Sequence, residues 1–142
     1  VMPKSIENLF VFLLLSSLLC ACNMIGDKVI ERGSLKVYFS ESTEEKIAVK
    51  FADFWINRKY VGNRPQNIKI TEGESYQVFQ IRLILREDFE STTEINFEEL
   101  KLLGQIQHEL NSTVFDKKKC ELVICDNKFQ TINTPIPLYS KK

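Results

Sequence analysis

Residues 76–86 read YQVFQIRLILR. In an extended chain Phe79, Ile81, Leu83 and Leu85 fall on one side. Tyr76, Val78, Gln80, Arg82, Ile84 and Arg86 fall on the other. Period-two alternation over β-branched and aromatic residues predicts a strand. One side is wholly apolar and the other mixed, which describes a sheet covered by helices on one face and partly wet on the other. The covering helices are sought outward from this strand in both directions.

Upstream, Glu72-Gly73-Glu74 turns the chain and residues 67–71 form a short strand. Gly62 and Pro65 mark a loop, and before it residues 42–59 carry a helical pattern. Ser42 and Glu45 fit a capping box. Ile47, Phe51, Phe54 and Trp55 share a stripe flanked by Ala48 and Ala52, and Arg58 and Lys59 sit where the helix dipole favours cations. Residues 35–39, LKVYF, alternate as a strand. Downstream, an acidic loop spans residues 87–95. Asn96 with Glu99 offers a second capping box, with Ser91 and Glu94 as a rival start. Phe97, Leu100, Leu103, Ile106, Leu110 and Val114 form the core stripe of a helix to about Ser112. Gly104 within it costs about 1 kcal/mol against alanine, which close approach to the sheet would justify. Residues 120–125, CELVIC, form a strand, Asp126-Asn127 a turn, and residues 129–132 a short last strand. The order βαββαβ predicts an α+β, ferredoxin-like two-layer sandwich: an antiparallel sheet, two helices on one face, and a short extra C-terminal strand.

The N-terminal residues have a different character. Residues 9–23 read LFVFLLLSSLLCACN. The run is shorter than the roughly 20 apolar residues that span a bilayer. With Lys4 before it and small residues after it, it has the layout of a signal-peptide core; a buried core helix is the alternative, but no solvent face recurs at helical spacing. Leu19-Cys20-Ala21-Cys22 resembles a bacterial lipobox, with Leu three residues before Cys22 and a small residue directly before it. The resemblance implies a bacterial lipoprotein with acyl chains on Cys22 and a membrane anchor of two or more chains, which is the number stable anchoring needs. It divides the chain into a signal peptide (1–21), a tether (22–34), an α+β domain (35–133) and an extended or disordered tail (134–142). Residues 35–133 also resemble a group of small, often membrane-tethered bacterial domains to which no activity attaches. The matching pieces are Tyr76-Gln77-Val78, Val114-Phe115 and the run from Cys125 to Thr131.

The 142 residues hold 19 basic and 19 acidic side chains. The balance survives removal of residues 1–21, which contain one of each. A neutral chain has no bulk drive toward nucleic acid, and none is expected as a partner. The apolar and aromatic content is that of a folded domain.

Candidate chemistry is sparse. Cys120 and Cys125 are five residues apart on one expected strand, about 16 Å, whereas a disulfide needs Cα atoms within about 7 Å. Their odd separation points them to opposite faces, so Cys120 is expected to pack as a small apolar residue and Cys125 to sit at a turn. His108 lies off the helical core stripe with no nucleophile or orienting acid in view and reads as a surface residue. The pairs Glu44-Glu45 and Glu98-Glu99 suit first turns of helices. No cofactor or metal is expected; a zinc site would need carboxylates beside the single histidine. Trp55 and the phenylalanines read as core rather than as a ligand pocket. Asn111-Ser112-Thr113 matches a glycosylation sequon, but Asn111 reads as a helix-ending residue.

Charge layout is the strongest remaining pattern. Glu87, Asp88, Glu90, Glu94, Glu98 and Glu99 surround Phe89, while Arg58, Lys59, Arg64 and Lys69 form one basic group and residues 117–119 another. Solvated helix ends and loops account for such runs, and a bipolar surface also orients a partner. Asp88, Phe89 and Glu90 are therefore the candidate partner-binding residues. The expected function is a non-enzymatic protein-interaction domain, lipid-anchored outside the cytoplasm at the cell envelope. A small-ligand or peptide sensor is the alternative, and a thiol- or histidine-dependent enzyme comes third.

Overall fold

The computed structural model describes residues 27–73, 78–84 and 95–138. In chain order the elements are β1 (Asp27–Arg32), β2 (Leu35–Ser40), α1 (Glu45–Asn57), β3 (Gln66–Glu72), β4 (Phe79–Leu83), α2 (Phe97–Thr113), β5 (Cys120–Cys125) and β6 (Thr131–Asn133). The strands lie side by side in sequence order, β1-β2-β3-β4-β5-β6. The β1–β2, β3–β4 and β5–β6 pairs are antiparallel, and β2–β3 and β4–β5 are parallel. Each parallel pair is joined through a helix.

The fold is α+β, but the expected ferredoxin-like sheet is overturned. Among the described residues the sheet is mixed and has six strands. A ferredoxin-like crossover leaves a strand's width between the strands it joins. Here each crossover joins neighbours. The second correction lies in the expected tether, residues 22–34. Its residues 27–32 are β1, paired with β2 over the whole strand. Arg32 and Leu35 face each other across a two-residue turn, and Gly33 takes φ +59°, the sign that primed hairpin turns require.

Alternation then sorts the side chains. Ile30, Val37, Ile68, Leu83 and Ile124 form one row across the sheet, and Phe39, Ile70, Ile81 and Leu122 the next. All are buried. Helix α1 lays Ala48, Phe51, Ala52 and Trp55 on this face, its alanines letting the backbone approach. Helix α2 adds Leu103, Ile106 and Leu110. Phe51, Trp55, Tyr60, Phe115 and Phe79 form a continuous ring cluster between the helices and the sheet. The Trp55 indole N–H donates to Gln66 Oε1 at 3.1 Å, so its polar edge is satisfied within the fold.

Both helices sit on this one face. Arg58, at the end of α1, reaches Glu109 of α2 at 3.0 Å. Because β3 and β4 are antiparallel, the two parallel pairs run in opposite directions, yet both crossovers step the same way across the sheet. The two crossovers are therefore of opposite hand, and one departs from the right-handed rule.

Helix starts differ from expectation in one case. Helix α1 begins after Glu44, which makes no side-chain cap; Ser42 instead shares a hydrogen bond with Ser40 at 2.7 Å. Helix α2 has the full capping box: Glu99 N–H donates to Asn96 Oδ1 at 2.8 Å, and Asn96 N–H donates to Glu99 Oε2 at 3.2 Å.

Candidate functional site

Cys22, Asp88, Phe89 and Glu90 lie outside the described residues. Cys120 and Cys125 are both buried and unbridged. Cys120 faces the helices within the core, and Cys125 the opposite side of β5. Burial pushes the Cys120 thiol from 9.0 up to about 12, with Glu121 adding to the shift. Burial also raises Cys125, opposed by the nearby Arg82 guanidinium. Both are held as thiols at neutral pH, so neither is a ready nucleophile. His108 is exposed on α2, and its carbonyl, not its ring, accepts from Ser112 Oγ at 2.9 Å. Among the described residues no cluster of histidine, cysteine, aspartate and glutamate could hold a metal, and no helix is long and apolar enough to cross a membrane.

The basic groups are largely engaged inside the fold. Lys118 pairs with Glu72 at 3.1 Å and lies 4.6 Å over the Phe79 ring. Lys119 donates to the carbonyls of Asn111 and Asp116, where the end of α2 offers unpaired acceptors. Lys69 pairs with Asp27 at 2.8 Å, and Arg58 stacks on Phe54 beside Glu109.

The face of the sheet away from the helices carries Lys36, Tyr38, Asn67, Lys69, Thr71, Gln80, Arg82 and Glu121. Part of it is covered by the β5–β6 turn. Asp126 Oδ1 accepts from Lys128 N–H and Gln130 N–H, tightening that turn. Arg82 holds it down by donating from Nε and Nη2 to the Phe129 carbonyl at 3.1 and 2.8 Å, and its Nη1 donates to Gln80 at 3.0 Å. Phe129 meets the Tyr38 ring edge-on at 6.4 Å. Cys125 lies beside this arrangement, closed from solvent.

Three features were not anticipated, and two bear on partners. First, the stripe of α2 is exposed at its start. Phe97 is 74% exposed and Leu100 37%, burial along the stripe begins only at Leu103, and Leu102, off the stripe, is 51% exposed. The period could not reveal this, because it reports which residues share a face and not how far the sheet extends beneath them. Second, β1 is an edge strand, with Val29 45% exposed. Gly33-Ser34 between two alternating runs was the available signal. Third, Asn111 does not merely end a helix. Its side-chain amide donates to the Cys120 carbonyl at 3.0 Å and accepts from the Cys120 N–H at 2.7 Å. One turn earlier, Gln107 accepts from the Leu122 N–H and donates to the Ile136 carbonyl, both at 2.9 Å.

The described geometry thus brings together no catalytic set, and it presents an apolar helix start, a polar sheet face and one strand edge. No family model, no curated protein and no solved structure matches the chain.

Proposed function

We propose that this chain is a lipid-anchored, extracytoplasmic domain that binds a protein partner at the cell envelope and carries out no chemistry of its own. The anchor is Cys22, read from Leu19-Cys20-Ala21-Cys22 after the apolar run. The observation that supports partner binding is the start of α2. Phe97 and Leu100, three residues apart on one face, stand exposed on a helix whose first turn is fixed by the Asn96–Glu99 capping box. Exposed apolar side chains on a rigid element, beside acidic residues, have the composition of an interaction patch with a charged rim. The acidic segment with Asp88, Phe89 and Glu90 precedes it in sequence, and these remain the candidate partner-binding residues read from the charge pattern.

The test is cross-linking in cells of the full chain, tagged, with mass spectrometry of what is captured. One dominant envelope protein, lost with Phe97→Glu and with the pair Asp88→Lys and Glu90→Lys, is the expected outcome. Capture that neither variant changes would reject this surface. No enriched protein would move the reading to a ligand-binding sensor, tested next by thermal-shift screening. Cys22→Ala is expected to abolish incorporation of labelled fatty acid; undiminished labelling would remove the anchor from the reading.

A further inference from the structure

The two edges of the sheet are treated differently. Beyond β5 the short β6 leaves the first half of the strand unpaired, and that half is sealed. Asn111 satisfies the Cys120 N–H and C=O, Gln107 satisfies the Leu122 N–H, and the segment through Pro135 and Pro137 runs alongside, tied by the Ile136 carbonyl and by Leu138 N–H to Glu121. Prolines cannot donate to a further strand.

At β1 no described segment does the same. The phase of its backbone follows from the hairpin. A two-residue turn makes Arg32 and Leu35 a hydrogen-bonded pair, and such pairs alternate along an antiparallel ladder. Lys28, Ile30 and Arg32 thus turn their N–H and C=O groups toward β2. Asp27, Val29 and Glu31 turn theirs outward. In agreement, the Glu31 carbonyl is met from outside by Arg32 Nη1 at 3.1 Å, an exposed contact that a docking strand would displace. The charged side chains of β1 are mostly paired already: Asp27 with Lys69, Glu31 with Lys36, Arg32 with Asp53. Lys28 has no ion pair among the described residues. Lys28, Val29, Glu31 and Arg32 are all exposed along β1, and of these Lys28 and Val29 are the two whose side chains are not already in an ion pair among the described residues.

A second copy is a poor occupant. Two antiparallel β1 strands related by a two-fold axis keep their faces, so residues of equal parity lie opposite. Centring on Val29 sets Asp27 against Glu31, and centring on Ile30 sets Lys28 against Arg32. Each register opposes like charges.

We infer that the edge of β1, covered by no described segment, takes up an extended segment of a different protein as a further antiparallel strand, with an apolar residue against Val29 and an acidic one against Lys28. This deepens the partner-binding reading above and rests on it. Backbone pairing supplies the attachment and the two side-chain positions supply the choice.

The test uses a capped synthetic peptide, Thr-Thr-Ile-Val-Glu-Thr-Thr, and its counterpart with lysine in place of glutamate. Each is titrated to millimolar concentration into the isotopically labelled full chain, and backbone amides are followed by NMR and hydrogen exchange. The expected result is protection of the Val29 and Glu31 amides, with the glutamate peptide bound roughly two- to fivefold more tightly than the lysine one. Lys28→Glu should invert that preference. Val29→Pro removes an outward N–H and leaves the β1–β2 bonds in place, so it should abolish protection at Glu31. Unchanged β1 amides, or binding that Val29→Pro leaves intact, would overturn the inference. Should Val29→Pro fail to fold, a Lys28→Glu variant without inversion overturns it instead. An envelope protein still captured by Val29→Pro in the cross-linking experiment would overturn the edge and leave partner binding standing. Failure to capture any protein with the unaltered chain strikes at partner binding itself, and the peptide titration still decides the edge.

Discussion

At the scale of single residues, the buried thiols have a consequence that solution chemistry can read. Cys120 ionises near 9.0 when exposed and near 12 in the fold. Between those values the unfolded chain has lost a proton that the folded chain keeps, so stability falls as pH rises through that window. The contribution is fully present below pH 9. We expect Cys120→Ala to flatten the loss between pH 9 and 12 by on the order of 1 kcal/mol per pH unit, measured by urea unfolding across that range. An unchanged slope would show that the thiol is not sealed. Gly104 offers a second residue-scale prediction. A methyl group there would sit 2.8 Å from Ile136 Cδ1. Alanine gains up to about 1 kcal/mol of helix propensity, and Ile136 must move to admit it. Gly104→Ala should therefore stabilise more in an Ile136→Ala background than alone, and a double-mutant cycle checks this. Space at Gly104 was legible in the sequence, but its occupant was not. The glycine admits a side chain from the C-terminal segment, a neighbour thirty-two positions away that no local pattern names.

At the scale of elements, alternation was a sound guide wherever both sides of the chain face a settled environment. The described inward residues of the 76–86 strand, Phe79, Ile81 and Leu83, are all buried. The Asn96–Glu99 cap forms as its spacing implies, because a capping box is a local object closed within one turn. The Ser42–Glu45 box had equal spacing and did not form, since the chain leaving β2 makes a turn in which Ser42 meets Ser40 and Thr43 N–H donates to the Ser40 carbonyl. The amide pair on α2 belongs to this scale too. Gln107 and Asn111, one turn apart, stand in for a missing strand along β5. Gln107 is 3% exposed and bonds two backbone groups. Gln107→Leu leaves both unpaired and should cost about 2–4 kcal/mol in chemical unfolding, more than a cavity of comparable size would explain. A cost under about 1 kcal/mol would mean that water replaces the amide. No sequence signal marks these two residues as edge keepers, because the strand they serve begins nine positions after Asn111.

At the scale of the whole molecule, the order of elements was mostly legible and their arrangement was not. The sequence order βαββαβ fits more than one sheet, and the usual choice keeps both crossovers right-handed by separating the strands they join. The observed sheet makes them neighbours and accepts one crossover of the rarer hand. Residues 27–32 pair beside β2 and occupy the position a ferredoxin-like arrangement would open to another strand. Reading them as a tether removed the strand that sets the order. The candidate surface had a similar fate. Charge runs were visible, yet Arg58, Lys69 and Lys118 of the described basic groups are committed to ion pairs within the fold, and exposure at Phe97 and Val29 depends on where the sheet ends. If β1 is integral, replacing Ile30 with aspartate should unfold the β1–β2 hairpin, lowering stability by roughly 2–4 kcal/mol and exposing the β2 amides to exchange. Protected β2 amides in that variant would show β1 to be dispensable.

Strand order that follows chain order has a temporal meaning. Every neighbouring pair in the described sheet is also consecutive along the chain, so each strand after the first finds a partner already in place as the chain emerges from the ribosome. The sheet can be laid down from one end without waiting for a distant segment, which keeps contact order low and shortens the interval in which apolar strands stand uncovered. Strand β6 and the proline-bearing segment after it close the growing edge along β5. At the other side of the described sheet, β1 is the edge strand from which this order begins.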